Sequence, residues 1–146
     1  MKNKVFNTTF ENMLRILVLM SVLAEPVNSD RLTALDFICI YGKKCKVLDK
    51  NLHGDNEFGF AEFTNKREKI TEAIKLSVKD DYVIVGKSAE GLVYSLNERG
   101  REIDIQSSYS KAYAIGARIV YRKFANYTDE AVLKYISKLA TESKEV

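Results

Sequence analysis

The features that mark catalytic and metal-bearing chains are scarce in this sequence. Among 146 residues there are one histidine, two cysteines and one proline. No glycine-rich phosphate loop, GxSxG elbow, HExxH helix or paired Cys/His set occurs. Cys39 and Cys45 have no histidine beside them and are not spaced as a CxxC pair, so they outline no zinc set. A disulfide between them would need an oxidising compartment. Cys39 reads as a small core residue in an apolar run, and Cys45 as an exposed thiol in a lysine-rich loop. The stretch Gly54-Asp55-Asn56-Glu57 offers oxygen ligands without the full calcium-loop spacing. His53 has neither a nucleophile nor a second ligand near it in sequence, and reads as a loop histidine without chemistry. The chain reads as a non-enzyme: no catalytic residue, no metal site and no cofactor of its own.

Long hydrophobic runs are also missing. The apolar stretch from Met13 to Ala24 contains Arg15 and falls short of the about 20 residues that span a bilayer. The basic start Met1-Lys2-Asn3-Lys4, with the small residues Ser21 and Ala24 near the end of the apolar stretch as a cleavage site, imitates a signal peptide, but Glu11 and Arg15 break that pattern. The reading is a core helix in an uncleaved, cytoplasmic chain. Excess charge of one sign is small as well. The formal net charge is +3, and the 29% charged residues mix both signs. A dedicated DNA reader concentrates more positive charge. One proline and a mixed composition exclude extensive disorder, and the length suits one domain with its own core.

What is present is a sequence of helix signals interrupted once by strand signals. A first helix is expected from about Thr8 to Ala24, carrying Phe10, Leu14, Leu17, Val18 and Leu23, and stopping before Pro26. Ser29 and Asp30 suit the cap and first turn of a second helix to about Tyr41, with Leu32, Leu35, Ile38 and Cys39 inward and Gly42 ending it. Residues 43–62 form a long polar connection, with Phe58 and Phe60 tucking back and Lys43, Lys44, Lys46 and Lys50 facing water. A third helix from about Thr64 to Lys79 buries Ile70, Ile74, Ser77 and Val78. Its other face holds Asn65, Glu68, Lys69, Glu72, Lys75 and Lys79.

Two strands follow, Tyr82–Val85 and Leu92–Leu96, around a tip from Gly86 to Gly91. Helix, strand, tip, strand, helix is the order of a β-wing after a recognition-type helix. The fold class is therefore mainly α with a small β-wing: a winged helix-turn-helix with a C-terminal helical extension. The winged-helix part covers residues 1–104, with its long loop at 43–62, and the extension covers 105–146, packed on it as one globular unit. Beyond the wing, Asn97 caps a short turn, and in the extension a helix is expected from about Ser107 to Phe124. A last helix then runs from Asp129 to about Thr141, capped by Thr128. Tyr109, Tyr113 and Tyr121, with Arg118 and Arg122, are the expected partner interface, since tyrosine and arginine are enriched at interfaces. A plain helical cap over the core is the alternative. Lys66, Lys69, Lys75, Lys79 and Lys87 are the candidates for contact with nucleic acid or a partner. Glu68 and Glu72 in the middle of the third helix's outer face would repel phosphate, which weakens sequence-specific DNA readout.

The segments ENMLRILVLMSVLA, SDRLTALDFICIYG, FTNKREKITEAIKLSVKDDYVIV, EGLVYSLNERGREI and SSYSKAYAIGARIVYRKF together resemble the middle component of bacterial ABC-three-component systems, a group that includes Lamassu-type anti-phage and anti-plasmid defence. The likeness covers about Phe10 to Leu139. It implies a small winged-helix subunit that docks on an SMC- or Rad50-like ATPase and links it to, or restrains, an effector of nuclease type. ATP and magnesium would belong to the ATPase alone, and DNA would be met through the complex. The competing reading is a homodimeric winged-helix transcriptional regulator, whose duplex binding would depend on Lys69, Lys75 and Lys87.

Overall fold

The computed structural model describes residues 8–52, 60–103 and 108–144. The chain forms helix α1 (Thr9–Leu23), α2 (Ser29–Ile40), a single 3-10 turn at Phe60–Glu62, α3 (Phe63–Lys79), strands β1 (Val83–Ser88) and β2 (Gly91–Leu96), a short α4 (Glu98–Arg101), then α5 (Ser108–Phe124) and α6 (Asp129–Lys144). Among the described residues it is mainly helical, with one two-stranded antiparallel sheet.

Local chemistry sets most of the boundaries. Thr8 Oγ1 accepts from the Glu11 amide at 3.1 Å, at the head of a Thr-x-x-Glu sequence that opens α1. Ala24, in the left-handed region at φ 57°, closes α1 two residues before Pro26. The cap of α2 is Asn28, one residue earlier than expected: its Oδ1 accepts from the Arg31 amide at 2.7 Å. Thr128 caps α6 through the Ala131 amide, as its sequence position predicts. Gly42 follows α2 for a reason other than a left-handed turn. A Cβ there would lie 2.4 Å from Leu48, so glycine is required for the connection to fold back on the helix end.

The hairpin is longer than expected. Its register pairs Val83 with Leu96 through to Ser88 with Gly91, so the turn is only Ala89-Glu90. Gly91, at φ 127°, occupies a conformation that side chains resist. The base of the hairpin is buried through Val83 and Leu96, while Ile84, Val85 and Leu92 are exposed. On the far edge of β2, Val27 forms a single antiparallel bridge with Tyr94, exchanging hydrogen bonds of 2.9 and 2.8 Å. The link between α1 and α2 is thereby stitched to the sheet.

The core lies where α1 and α2 meet α3 and α5. Ile16, Leu19, Leu32, Leu35, Phe37, Ile38 and Ile70 are fully enclosed. Burying a side chain of this size contributes roughly 1.5–3 kcal/mol. Helix α5 supplies Tyr113, Ala117, Val120 and Phe124 to this same core, so it forms one of its walls. Some expected core positions are not buried. Phe10 is exposed because burial on α1 begins only at Asn12, and Val78 is exposed at the edge of the α3 stripe. Cys45 is buried, not an exposed thiol. The connection after α2 winds tightly, and Tyr135 of α6 donates to the Cys45 carbonyl at 2.7 Å. Both cysteines are free; burial pushes the Cys45 thiol up to about 12 and raises that of Cys39 too, so neither is a nucleophile at neutral pH. Phe60 packs on Phe37 as expected, while His53, Gly54–Glu57 and Phe58 lie outside the described residues.

Candidate functional site

Two charged residues stand in apolar helical runs, Arg15 on α1 and Asp36 on α2, and the fold brings them together. Arg15 Nε donates to Asp36 Oδ1 at 3.1 Å, and Nη2 lies 3.4 Å from Oδ2. Lys66 of α3 places Nζ 3.1 Å from Oδ2, and Tyr113 of α5 donates its hydroxyl to Oδ1 at 2.7 Å. Asn12 accepts a further hydrogen bond from Arg15. Four helices therefore converge on one fully buried carboxylate. Burial pushes that carboxyl up, but the charges of Arg15 and Lys66 more than reverse it. Hydrogen bonds from Arg15 and Tyr113 add to them and hold it well below the usual carboxylate range. Burial lowers the Lys66 ammonium, partly offset by Asp36, and raises the Tyr113 phenol.

A second constellation lies at the surface. A cleft of about 280 Å³ opens between the hairpin tip (Ser88, Glu90, Leu92, Val93) and the corner joining α5 to α6, where Tyr121 and Tyr127 stand. Its floor is held by Arg31, which donates to the Phe124 carbonyl at 2.6 Å, to the Tyr127 carbonyl at 2.8 Å and to Asp129 Oδ1 at 2.9 Å. The guanidinium thus adds a donor to two carbonyls, at the end of α5 and in the turn after it, and ties that corner to the start of α2.

The expected site residues fall into three groups. Lys66 and Tyr113 are internal, which corrects their assignment as accessible contacts. Lys66 stands four residues before Ile70 on the inward stripe of α3, and Tyr113 four before Ala117 on that of α5. Lys69, Lys75 and Lys79 are exposed on α3, and Lys87 on the hairpin. Tyr121 is half-buried in the cleft wall, Arg118 and Arg122 are exposed on α5, and the side chain of Tyr109 lies outside the described residues. The Arg15–Asp36 pair went unread as a site, although a lone charge of opposite sign inside each of two apolar helices was the available signal.

No helix among the described residues is long and apolar enough to cross a membrane. Three charged side chains, Arg15, Asp36 and Lys66, form an internal pin, while large aliphatic side chains stay exposed on the hairpin (Ile84, Val85, Leu92), on α5 (Ile115, Ile119) and at Val78 of α3. The sequence matches the family described as ABC-three component (ABC-3C) system Middle Component 2 over residues 5–145. The chain belongs to that family and is the middle member of a three-component system, which implies partners in a complex. Comparison with curated proteins and with solved structures returned no match.

Proposed function

We propose that this chain is a non-catalytic accessory subunit of a bacterial defence complex of Lamassu type. It docks on an SMC- or Rad50-like ATPase in the cytoplasm and links that ATPase to a nuclease-type effector, or holds the effector in check. The observation that carries the reading is the family match across residues 5–145. The surface supports a role in protein contact: three large aliphatics, Ile84, Val85 and Leu92, are exposed on the hairpin, and Glu90 sits at its tip, three residues after Lys87. Phosphate offers such side chains nothing, whereas a protein surface can bury them.

The domain itself is proposed as a winged helix. The order α1, Val27 bridge, α2, α3, β1, β2 supports that assignment, with the Val27–Tyr94 bridge in the place of a short third strand. ATP and magnesium belong to the partner ATPase in this reading. The test is co-expression of the tagged full chain with the other two components of its system, followed by affinity purification and mass measurement of the intact assembly. Recovery of the ATPase together with the effector is expected. Recovery of the chain alone, as a dimer that binds duplex DNA at low salt, would overturn the reading in favour of a regulator.

A further inference from the structure

Helix α5 has the sequence SYSKAYAIGARIVYRKF, with four basic residues and no acidic one. The whole chain carries a net charge of only +3, so this one helix is more basic than the balance of the molecule. Its inward stripe is used up by the core. At about 100° per residue, Lys111, Ile115, Arg118, Ile119 and Arg122 share one outward arc. Ile115 is 60% exposed and Ile119 44%. Among the described residues, Lys111, Arg118 and Arg122 form no ion pair; on neighbouring elements Arg31 pairs with Asp129, Lys134 with Glu130 and Lys46 with Glu142, while Lys138 of α6 and Lys69, Lys75 and Lys79 of α3 also form none. Lys123, at the margin of the arc, is engaged over the rings of Phe124 and Tyr135.

We infer that this arc is the docking face for an acidic amphipathic helix of a partner subunit, one with Asp or Glu beside aliphatic residues at three- and four-residue spacing. The inference rests on the subunit reading above and names the surface that reading leaves open. Charge complementarity selects the occupant. A second copy in a two-fold contact would set Lys111, Arg118 and Arg122 against their own equivalents, and the repulsion would oppose pairing. A nucleic-acid backbone would satisfy the basic side chains but leave Ile115 and Ile119, which share the arc with them, facing charged phosphate. An acidic helix satisfies both, burying the isoleucines while its carboxylates meet the flanking guanidinium groups. The stripe runs roughly three turns, about 16 Å, so it acts as an anchor within a larger contact.

The test uses the full chain co-expressed with the other two components. A photo-crosslinking residue is placed at position 115 or 119, with positions 75 and 84 as comparison sites. The paired reversal Arg118→Glu with Arg122→Glu is purified in parallel with the charge-keeping pair Arg118→Lys and Arg122→Lys. Circular dichroism and the melting midpoint establish folding of each. The expected result is a crosslink from 115 and 119 into an Asp/Glu-rich helical segment of a partner. Association should weaken at least about tenfold in the reversed pair and be largely kept in the lysine pair. Crosslinks into a second copy of this chain, or into DNA, overturn the inference. So does intact co-purification of the partners with positions 115 and 119 silent, an outcome that leaves the subunit reading standing. Failure of the unaltered chain to co-purify with either component overturns both.

Discussion

Tyr113 and Arg118 lie little more than one turn apart on α5, yet they belong to opposite kinds of charged region. On the inward side, a single carboxylate, Asp36 of α2, gathers two cations and a phenol from three other helices. On the outward side, three cations share an arc with no carboxylate among them. The first region is complete within the chain and excludes water. The second is open to solvent, and among the described residues no carboxylate pairs with its cations. A charge cluster closed on itself can orient helices but cannot recognise a partner; an open one can recognise but adds little to stability.

Substitutions separate the two regions by the size of their effects. Replacing Asp36 with Asn should cost the most. It leaves Arg15 and Lys66 buried beside each other without a counter-charge, a loss of about 3–5 kcal/mol. That is a large part of the stability of a domain this size, and urea unfolding by circular dichroism would measure it. Survival of Asp36→Asn at wild-type stability would show that the inner cluster is not the pin described here. Tyr113→Phe removes one hydrogen bond to a charged acceptor and keeps the ring, so a smaller loss of about 1.5–3 kcal/mol is expected in the same assay.

The inner region should also show in the pH dependence. The Asp36 carboxyl is held below its unfolded value, which is about 3.9. The unfolded chain therefore takes up protons first as pH falls, so the contribution of this group is complete above that value. It is lost as the pH falls below about 4 toward the depressed folded value. Urea midpoints taken from pH 7 down to pH 3 should fall, and the part due to this group should be absent in Asp36→Asn. Thr128→Ala, which removes the α6 cap, should cost about 1 kcal/mol and mark the scale of an ordinary local defect. The smallest effect belongs to the outer region. Arg118→Ala with Arg122→Ala should leave the unfolding midpoint unchanged while reducing recovery of partner subunits. A clear fall in stability from that pair would blur the contrast between the two faces of α5.

Helices were legible in the sequence because their caps and spacing are local. Thr8, Asn97, Pro26 and Thr128 mark ends through contacts within a few residues, and the inward stripe of α5 recurs every three or four positions. The hairpin was legible as a pair of strands but not in its length. Alternation fades toward a solvent-facing tip, while the ladder continues to Ser88 and Gly91 through backbone hydrogen bonds that any residue can make. The outer candidates Arg118 and Arg122 were legible too, since exposure of a base on an amphipathic helix follows from period alone.

Sequence by itself therefore determined the helical order, the hairpin, the family and the polar face of α5. Only the tertiary structure decided that Lys66 and Tyr113 turn inward, that Cys45 is covered, and that Arg15 answers Asp36 across 21 residues of chain. The physical reason is the range of the interactions. Capping and periodicity act within one or two turns and leave a trace in neighbouring residues. The burial of a charge depends on which distant element supplies its counter-charge, and that pairing exists only once α1, α2, α3 and α5 have packed.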